Sequence, residues 1–341
     1  MYKKNLATII SNSAQFLSLK SAYALSKFSH FNFTNFKIDI ENASYREFTI
    51  PKAKGGMRTI EAPNENLLII QKKLNPYLQA VYYKIKPDEV YGFVLSVRHE
   101  PTPRTIITNA RNHTGKSYVL NIDLKDFFHS ISSTQVRALF QTTPFNFSED
   151  LATCLALICC WNKRLPMGAP TSPVVSNLYC MGLDEQLIAL AHKHDLVYTR
   201  YADDLTFSSN ELITKDIIGD IKKVIAENGF KINERKFRLQ SKFRSQTVTG
   251  IKVNQKPNVD RRYIRNIRAI LNDIKWNGLE KSAVKHYNVI EADEKLIDTF
   301  LASISGKINF IGQVRGKSDL IYNKLRQELK MYQPQFAASK E

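Results

Sequence analysis

Residues 199–209 read TRYADDLTFSS, two runs of strand character that meet at a pair of adjacent carboxylates, Asp203 and Asp204. A hairpin here fits the alternation of Thr, Tyr, Leu and Phe with polar residues. Two neighbouring acids repel, and withdrawing them from water without partners is expensive. Either the pair sits in a solvated turn, where Asp is common, or a cation makes the charge useful.

A partner carboxylate lies upstream in LNIDLKDFF, residues 120–128. Tyr118 to Ile122 form a nearly continuous apolar strand, and Asp123 ends it where a charge needs a purpose. If this strand lies beside the 196–208 hairpin, Asp123 and Asp203 meet at one rim of a sheet. Three clustered carboxylates suit hard cations such as Mg²⁺, which take oxygen ligands. Two such ions, roughly 3.5–4 Å apart, activate an attacking hydroxyl and stabilise a leaving pyrophosphate. The chemistry expected is phosphoryl transfer.

The charge balance points to the same class of partner. Lys and Arg number 49 against 32 Asp and Glu, a formal net charge of +17. Thirteen of the cations and only three of the acids fall between Lys231 and Lys275. A merely solubilising surface spreads its charge, whereas this concentration suits a polyanion. Cys154, Cys159, Cys160 and Cys180 have no metal-like spacing, and the adjacent Cys159 and Cys160 read as small buried hydrophobes in a reducing compartment. The apolar run around them is too short to span a bilayer, and the first residues lack a secretory signal. A cytoplasmic protein without membrane contact is expected.

Along the chain, residues 1–45 have a helical pattern and 46–63 that of a hairpin with a Lys/Gly turn. Helices are expected over 148–161, 173–195 and 215–228, the last closed by Gly229, and TVTGIKVN (247–254) reads as a short strand pair. Beyond Pro257, Tyr263, Ile264, Ile267, Ile270, Leu271 and Ile274 line one helical face, with Arg261, Arg262, Arg265 and Arg268 largely off it. The expected division is an N-terminal helical segment (1–45), a body (46–255) and a basic helical appendage (256–341).

Together these blocks resemble the reverse transcriptases. Asp123 with DLKDFF, LPMGAPTSPVVSNL (165–178) and YADD (201–204) stand in the order and spacing of that family's palm. RTIEAP (58–63) is similar to its fingers strand, GFKINERKF (229–237) to the palm element after the catalytic hairpin, and VTG (248–250) to the primer-grip region. NARNH (109–113) has the N-A-x-x-H form of the bacterial retron type, and GKINFIGQVRG (306–316) resembles the tails of retron and related defence enzymes.

The resemblance implies an α+β right-hand polymerase fold: fingers and palm over 46–255, the palm an antiparallel sheet with helices, and a helical thumb from 256. It implies an RNA-directed DNA polymerase that uses two Mg²⁺ ions, with Mn²⁺ able to substitute, and dNTPs. Asp123 and Asp203 would be the main metal ligands and Asp204 the more peripheral third, with a backbone carbonyl of Ile122 or Leu124 completing a shell. Arg58, with Lys52 or Lys54, would reach the triphosphate, Arg being suited to bidentate contacts. Phe128 falls at the position that stacks under the deoxyribose and excludes a 2′-OH. Gly168 belongs to a small-residue turn that admits template and base, Met167 stands where the family usually has Gln, and Lys236 could protonate the departing pyrophosphate. Asn109 and His113, with Arg261, Arg262, Arg265 and Arg268, would bind RNA. The partners implied are a structured noncoding RNA serving as template and primer, the DNA copied from it, and a separate effector protein in antiviral defence. Competing readings are a defence-associated or intron-like reverse transcriptase with other priming, and an idle RNA-binding scaffold, which three intact acids argue against.

Overall fold

The computed structural model describes residues 5–28, 31–52, 55–98 and 100–332. The chain divides into two units: the first comprises Met1–Asn109 and Ser117–Leu239, the second Ala110–Lys116 and Gln240–Glu341. The second is therefore discontinuous in sequence.

The first unit opens with three short helices, α1 (Leu6–Leu17), α2 (Ala22–Phe28) and α3 (Phe33–Glu41). The Asn5 side chain caps α1 by accepting from the Ala7 N–H, and Asn32 caps α3 likewise. A hairpin of β1 (Tyr45–Pro51) and β2 (Met57–Pro63) follows, paired from Tyr45↔Pro63 to Pro51↔Met57. Next come α4 (Glu65–Ile85), α5 (Ile106–Arg111), which runs on into the second unit, and β3 (Tyr118–Lys125). Then come α6 (Ser133–Gln141), started by a capping box of Ser132 and Gln135, and α7 (Glu149–Cys159).

The helix expected over 173–195 is two, α8 (Ser172–Tyr179) and α9 (Met181–Lys193). Backbone bonding continues across Cys180, whose N–H donates to the Ser176 carbonyl while its own carbonyl accepts from Asp184. The junction is thus a kink rather than a loop, and hydrophobic spacing does not register it. The unit closes with β4 (Val197–Tyr201), β5 (Asp204–Ser209), α10 (Lys215–Glu227), β6 (Lys231–Ile232) and the start of β7 (Arg238–Ser241).

Its sheet runs β4–β5–β3–β6, all antiparallel neighbours. β5 is buried along Leu205–Ser209 and β3 at nearly every position from Val119 to Leu124, so both faces are covered and one end is left to carry charge. Leu120, Ile122, Leu205 and Phe207 are at most 1% exposed and anchor the core.

The second unit contains β8 (Thr247–Val248), β9 (Ile251–Lys252), α11 (Arg261–Tyr287), α12 (Glu294–Arg315) and α13 (Leu320–Lys330). Thr249 and Gly250, both with positive φ, turn the β8–β9 hairpin. α11 breaks at Gly278, where φ is 80°. Residues 110–116 join this unit through main-chain bonds, Gly115 N–H to Val253 O (2.9 Å), and through Gln246 Nε2 donating to Lys116 O (3.1 Å). All four cysteines are free, and burial pushes the Cys159 and Cys180 thiols up to about 12. Among the described residues no helix is long and apolar enough to cross a membrane.

Candidate active site

β3 and β5 run antiparallel with Asp123 directly opposite Asp204. Asp203 occupies the two-residue turn between β4 and β5, after Ala202 at φ 58°, and its carbonyl accepts from the Leu124 N–H at 2.9 Å. The three acids therefore share one end of the sheet: Asp123 is buried, Asp203 half-buried, Asp204 exposed. Sheet register, which the sequence leaves open, makes Asp204 rather than Asp203 the cross-strand partner of Asp123.

The acids strain one another electrostatically. The Asp203 carboxyl is raised by the protein packed around it and by Asp123, against the opposing pull of its own backbone N–H, Lys236 and Arg58. Asp204 reaches solvent, yet it is pushed up to about 6 by the dense protein beneath it and then by Asp203 and Asp123. Both oxygens of Asp123 are engaged: Lys236 Nζ donates to Oδ1 at 2.5 Å and Asn233 Nδ2 to Oδ2 at 3.0 Å. The Lys236 ammonium loses hydration here, but Asp123 and then the other two acids outweigh that and raise its pKa. Among the described residues no three His, Cys, Asp or Glu side chains are gathered closely enough to hold a metal ion as they stand. The donor set nonetheless fits one. Its ligands are hard carboxylate oxygens, its excess negative charge is only partly offset, and a cationic side chain already lies on the most buried acid.

A buried network fixes the hairpin that carries Asp203. Arg200 in β4 is fully buried and binds Asp184 of α9 twice, Nε to Oδ1 at 2.7 Å and Nη2 to Oδ2 at 2.6 Å. Its Nη1 donates to Asn177 Oδ1 (2.9 Å) and to the Ala202 carbonyl in the turn itself (3.2 Å), and the Tyr198 hydroxyl adds a bond to Asp184 (2.9 Å). The α8–α9 kink delivers Asn177 and Asp184 to this one guanidinium. From the other side, Arg200 N–H bonds Glu89 O and Tyr91 N–H bonds Arg200 O, and Gly92 lies so close that a Cβ there would sit 2.3 Å from the Ala202 nitrogen.

A second buried centre lies at Glu61 of β2, 1% exposed. Its carboxylate accepts from the Met167 N–H (2.7 Å), from Arg164 Nη2 (2.8 Å) and from His129 Nε2 (3.0 Å). Burial alone would raise its pKa, but these donors reverse that and lower it. Glu61 N–H also donates to the Met167 carbonyl at 2.9 Å, and a Cβ on Gly168 would sit 2.5 Å from the Glu61 carbonyl. Glycine at 168 is thus demanded by the β2 backbone. Phe128, half-buried beyond β3, stacks on Phe93 with ring centroids 6.0 Å apart, while Phe127 is core. Arg58 and Lys52 are exposed on the β1–β2 hairpin, and Arg58 is near enough to draw the Asp203 pKa down. Lys54 lies outside the described residues.

Against protein families, residues 50–289 match the model described as reverse transcriptase (RNA-dependent DNA polymerase). This chain belongs to the reverse transcriptase family. It is 32% identical over 246 residues to the retron Mx65 reverse transcriptase of Myxococcus xanthus, covering 67% of this chain and 55% of that one. Identity is 34% over 236 residues to the retron Ec86 reverse transcriptase of Escherichia coli (67% and 70% covered), and 31% over 301 residues to the retron Mx162 reverse transcriptase of M. xanthus (77% and 59%). The chain thus spans a little over half the length of the two M. xanthus relatives. These matches put it with the retron-type members, and the fold class is the expected α+β right-hand polymerase fold. Reverse transcriptases use divalent metal ions.

In this chain Arg261, Arg262, Arg265 and Arg268 are all exposed on α11, while Ile264, Ile267, Leu271 and Ile274 are buried and Tyr263 and Ile270 are half-buried. Asn109 and His113 differ from the expected RNA contacts. They are 1% and 0% exposed, and burial first, then Lys116, lowers the His113 pKa to about 3, so the ring is neutral. Neither side chain reaches a surface that RNA could touch, and any effect on RNA comes through the packing of their segment.

Arg200, Asp184, Asn177, Gly92, Glu61 and Asn233 also shape this site, and local sequence pattern assigns none of them a role. Arg200 carried a signal: an arginine within an apolar strand requires a buried acid. Gly92 and Glu61 act through contacts with segments remote in sequence and carried none.

Proposed function

We propose that this protein is an RNA-directed DNA polymerase of retron type that copies a structured noncoding RNA into a branched, RNA-linked single-stranded DNA. The observation that carries the reading is the meeting of Asp123, Asp203 and Asp204 at one end of the sheet, with Lys236 on Asp123. The three acids would hold divalent ions, taken to be two Mg²⁺ with Mn²⁺ able to replace them. Such ions, when bound, ease deprotonation of an attacking hydroxyl and neutralise a leaving pyrophosphate.

The remaining roles belong to the chain's own groups. Arg58 and Lys52 on the hairpin bind the triphosphate, with Lys54 beside them in sequence. Phe128, backed by Phe93, presses under the sugar, so a 2′-OH finds no room. Met167 and Gly168 line the nucleotide, held to Glu61 through Met167's main chain. Lys236 must leave Asp123 when a cation arrives, and its proton is then available to the departing pyrophosphate. Residues 46–255 make up fingers and palm, and 256–341 a thumb whose exposed arginines grip RNA. Retron-type relatives and the strong positive charge support a noncoding RNA partner. A separate effector protein, a role in antiviral defence and a cytoplasmic location go with this reading.

The test is extension of a primed RNA template with dNTPs and Mg²⁺. Asp123→Asn and Asp203→Asn should each abolish it while circular dichroism and melting are preserved. Extension by either variant near the wild-type rate would sink the assignment. Sequencing of nucleic acid copurified with the wild type should find a structured RNA joined to DNA, and unbranched product would remove the retron priming.

A further inference from the structure

The turn between β7 and β8 holds an aromatic ring in water. Phe243 is 88% exposed, the most exposed aromatic among the described residues. Leaving such a ring in solvent forgoes the gain of burial, so a rigid turn that keeps it there needs a reason. This turn is rigid. Asn254 Nδ2 donates to the carbonyls of Lys242 (3.2 Å) and Arg244 (2.7 Å), on either side of Phe243. Asn254 Oδ1 accepts from Gln246 N–H at 3.1 Å, Gln240 Nε2 donates to Ser245 O at 2.7 Å, and Arg244 N–H returns to Ser241 O at 2.9 Å.

The ring borders an open cavity of about 1070 Å³ lined by seven cationic side chains and one carboxylate, Asp260. That carboxylate is already used. It caps α11 through the Arg262 N–H and faces Lys252 at 3.6 Å and Arg262 at 3.7 Å. Lys242, Arg244, Lys256, Arg261 and Arg265 form no ion pair among the described residues. A fixed aromatic face amid uncompensated cations matches what single-stranded nucleic acid requires, a platform for a base and charge for its phosphates. An acidic protein segment would use the cations and leave the ring without a partner of its own kind.

We propose that Phe243 is a stacking platform for one unpaired base of a bound RNA strand, whose flanking phosphates lie on Lys242, Arg244, Lys256, Arg261 and Arg265. This rests on the reading of the protein as an RNA-binding polymerase and names a contact within it. The ring reads no sequence, since every base has a π-face. The clamped turn means little conformational freedom is lost on binding.

The experiment uses the full chain and two probes, a short oligouridylate and an abasic oligomer of equal length and charge, titrated at several salt concentrations. Wild type should prefer the base-bearing strand by about 5- to 150-fold. Phe243→Ala should lose most of that preference with its salt slope unchanged. Phe243→Trp should keep the preference, with its indole fluorescence quenched on binding. Arg261→Ala with Arg265→Ala should flatten the slope by about 1.4 units and keep the preference. Phe243→Ala indistinguishable from wild type on both probes overturns the proposal alone. Poly-glutamate binding as tightly as RNA and equally sensitive to Phe243→Ala overturns it in favour of an acidic partner. Salt-independent or absent binding of both oligomers by wild type removes the RNA-binding reading itself, and this proposal with it.

Discussion

Replacing Gly92 by alanine should disable the proposed polymerase activity without touching any group that handles substrate. An added Cβ would lie 2.3 Å from the Ala202 nitrogen and 2.9 Å from the Tyr201 carbonyl carbon, against an ordinary contact of about 3.4 Å. One of the two segments must therefore give by about 1 Å. Neither is free to do so. Asn177 Nδ2 holds the Gly92 carbonyl at 2.9 Å, and Arg200 Nη1 holds the Ala202 carbonyl at 3.2 Å. Overpacking of this kind costs about 1–3 kcal/mol, which for a chain of this size lowers Tm by about 2–4 °C per kcal/mol. Displacing Asp203 by about 1 Å should cost about 10²-fold in the chemical step. Single-turnover addition of one dNTP to a saturating primed template measures the second effect, and a melt the first. Gly182→Ala in α9, where a Cβ meets nothing within 4 Å, is the matched control and should be neutral or slightly stabilising. Wild-type addition rate and Tm in Gly92→Ala would refute the reasoning.

Three further outcomes are expected. Asp184→Asn leaves Arg200 charged and buried without its carboxylate, which should cost about 3–5 kcal/mol in urea unfolding; a loss below about 1 kcal/mol would mean the network is not structural. In metal-free protein the folded Asp204 keeps its proton up to about pH 6, while the unfolded chain releases it near the ordinary 3.8. The folded state therefore binds more protons across that window, and wild type should lose stability relative to Asp204→Asn as pH rises through it. Divalent ions should reverse the difference, and a wild-type advantage that grows with pH in EDTA contradicts the assignment. Phe128→Ala should narrow the preference for deoxynucleotides by about 1–3 kcal/mol, measured as the ratio of kcat/KM for the two sugars; an unchanged ratio moves the gate elsewhere.

The sequence made legible what depends on local pattern. The alternation of TRYADDLTFSS gave β4 and β5, the apolar run to Ile122 gave β3, and the spacing of Ile264, Ile267, Leu271 and Ile274 gave the buried face of α11. It was silent where a residue's role comes from a remote neighbour. Glu61 sits in an alternating strand like any surface acid until the 164–167 segment folds over it. His113, read as an RNA contact, is buried because residues 110–116 leave the first unit for the second, and nothing in NARNH announces that exchange. The α8–α9 kink escaped because apolar spacing persists through Cys180.

That exchange also sets an order of events during synthesis. When Lys116 leaves the ribosome, the Gln246 that donates to its carbonyl is still 130 residues from emerging. At about 5–20 residues per second, the segment waits roughly 6–26 s for its partner. For about the first two-thirds of that interval β3, which starts just after it, also lacks β5, so the two halves of the catalytic end form late. A fragment beginning at residue 240 would never meet the missing heptapeptide, whereas supplying 110–116 in trans, or grafting it ahead of β8, should restore the second unit.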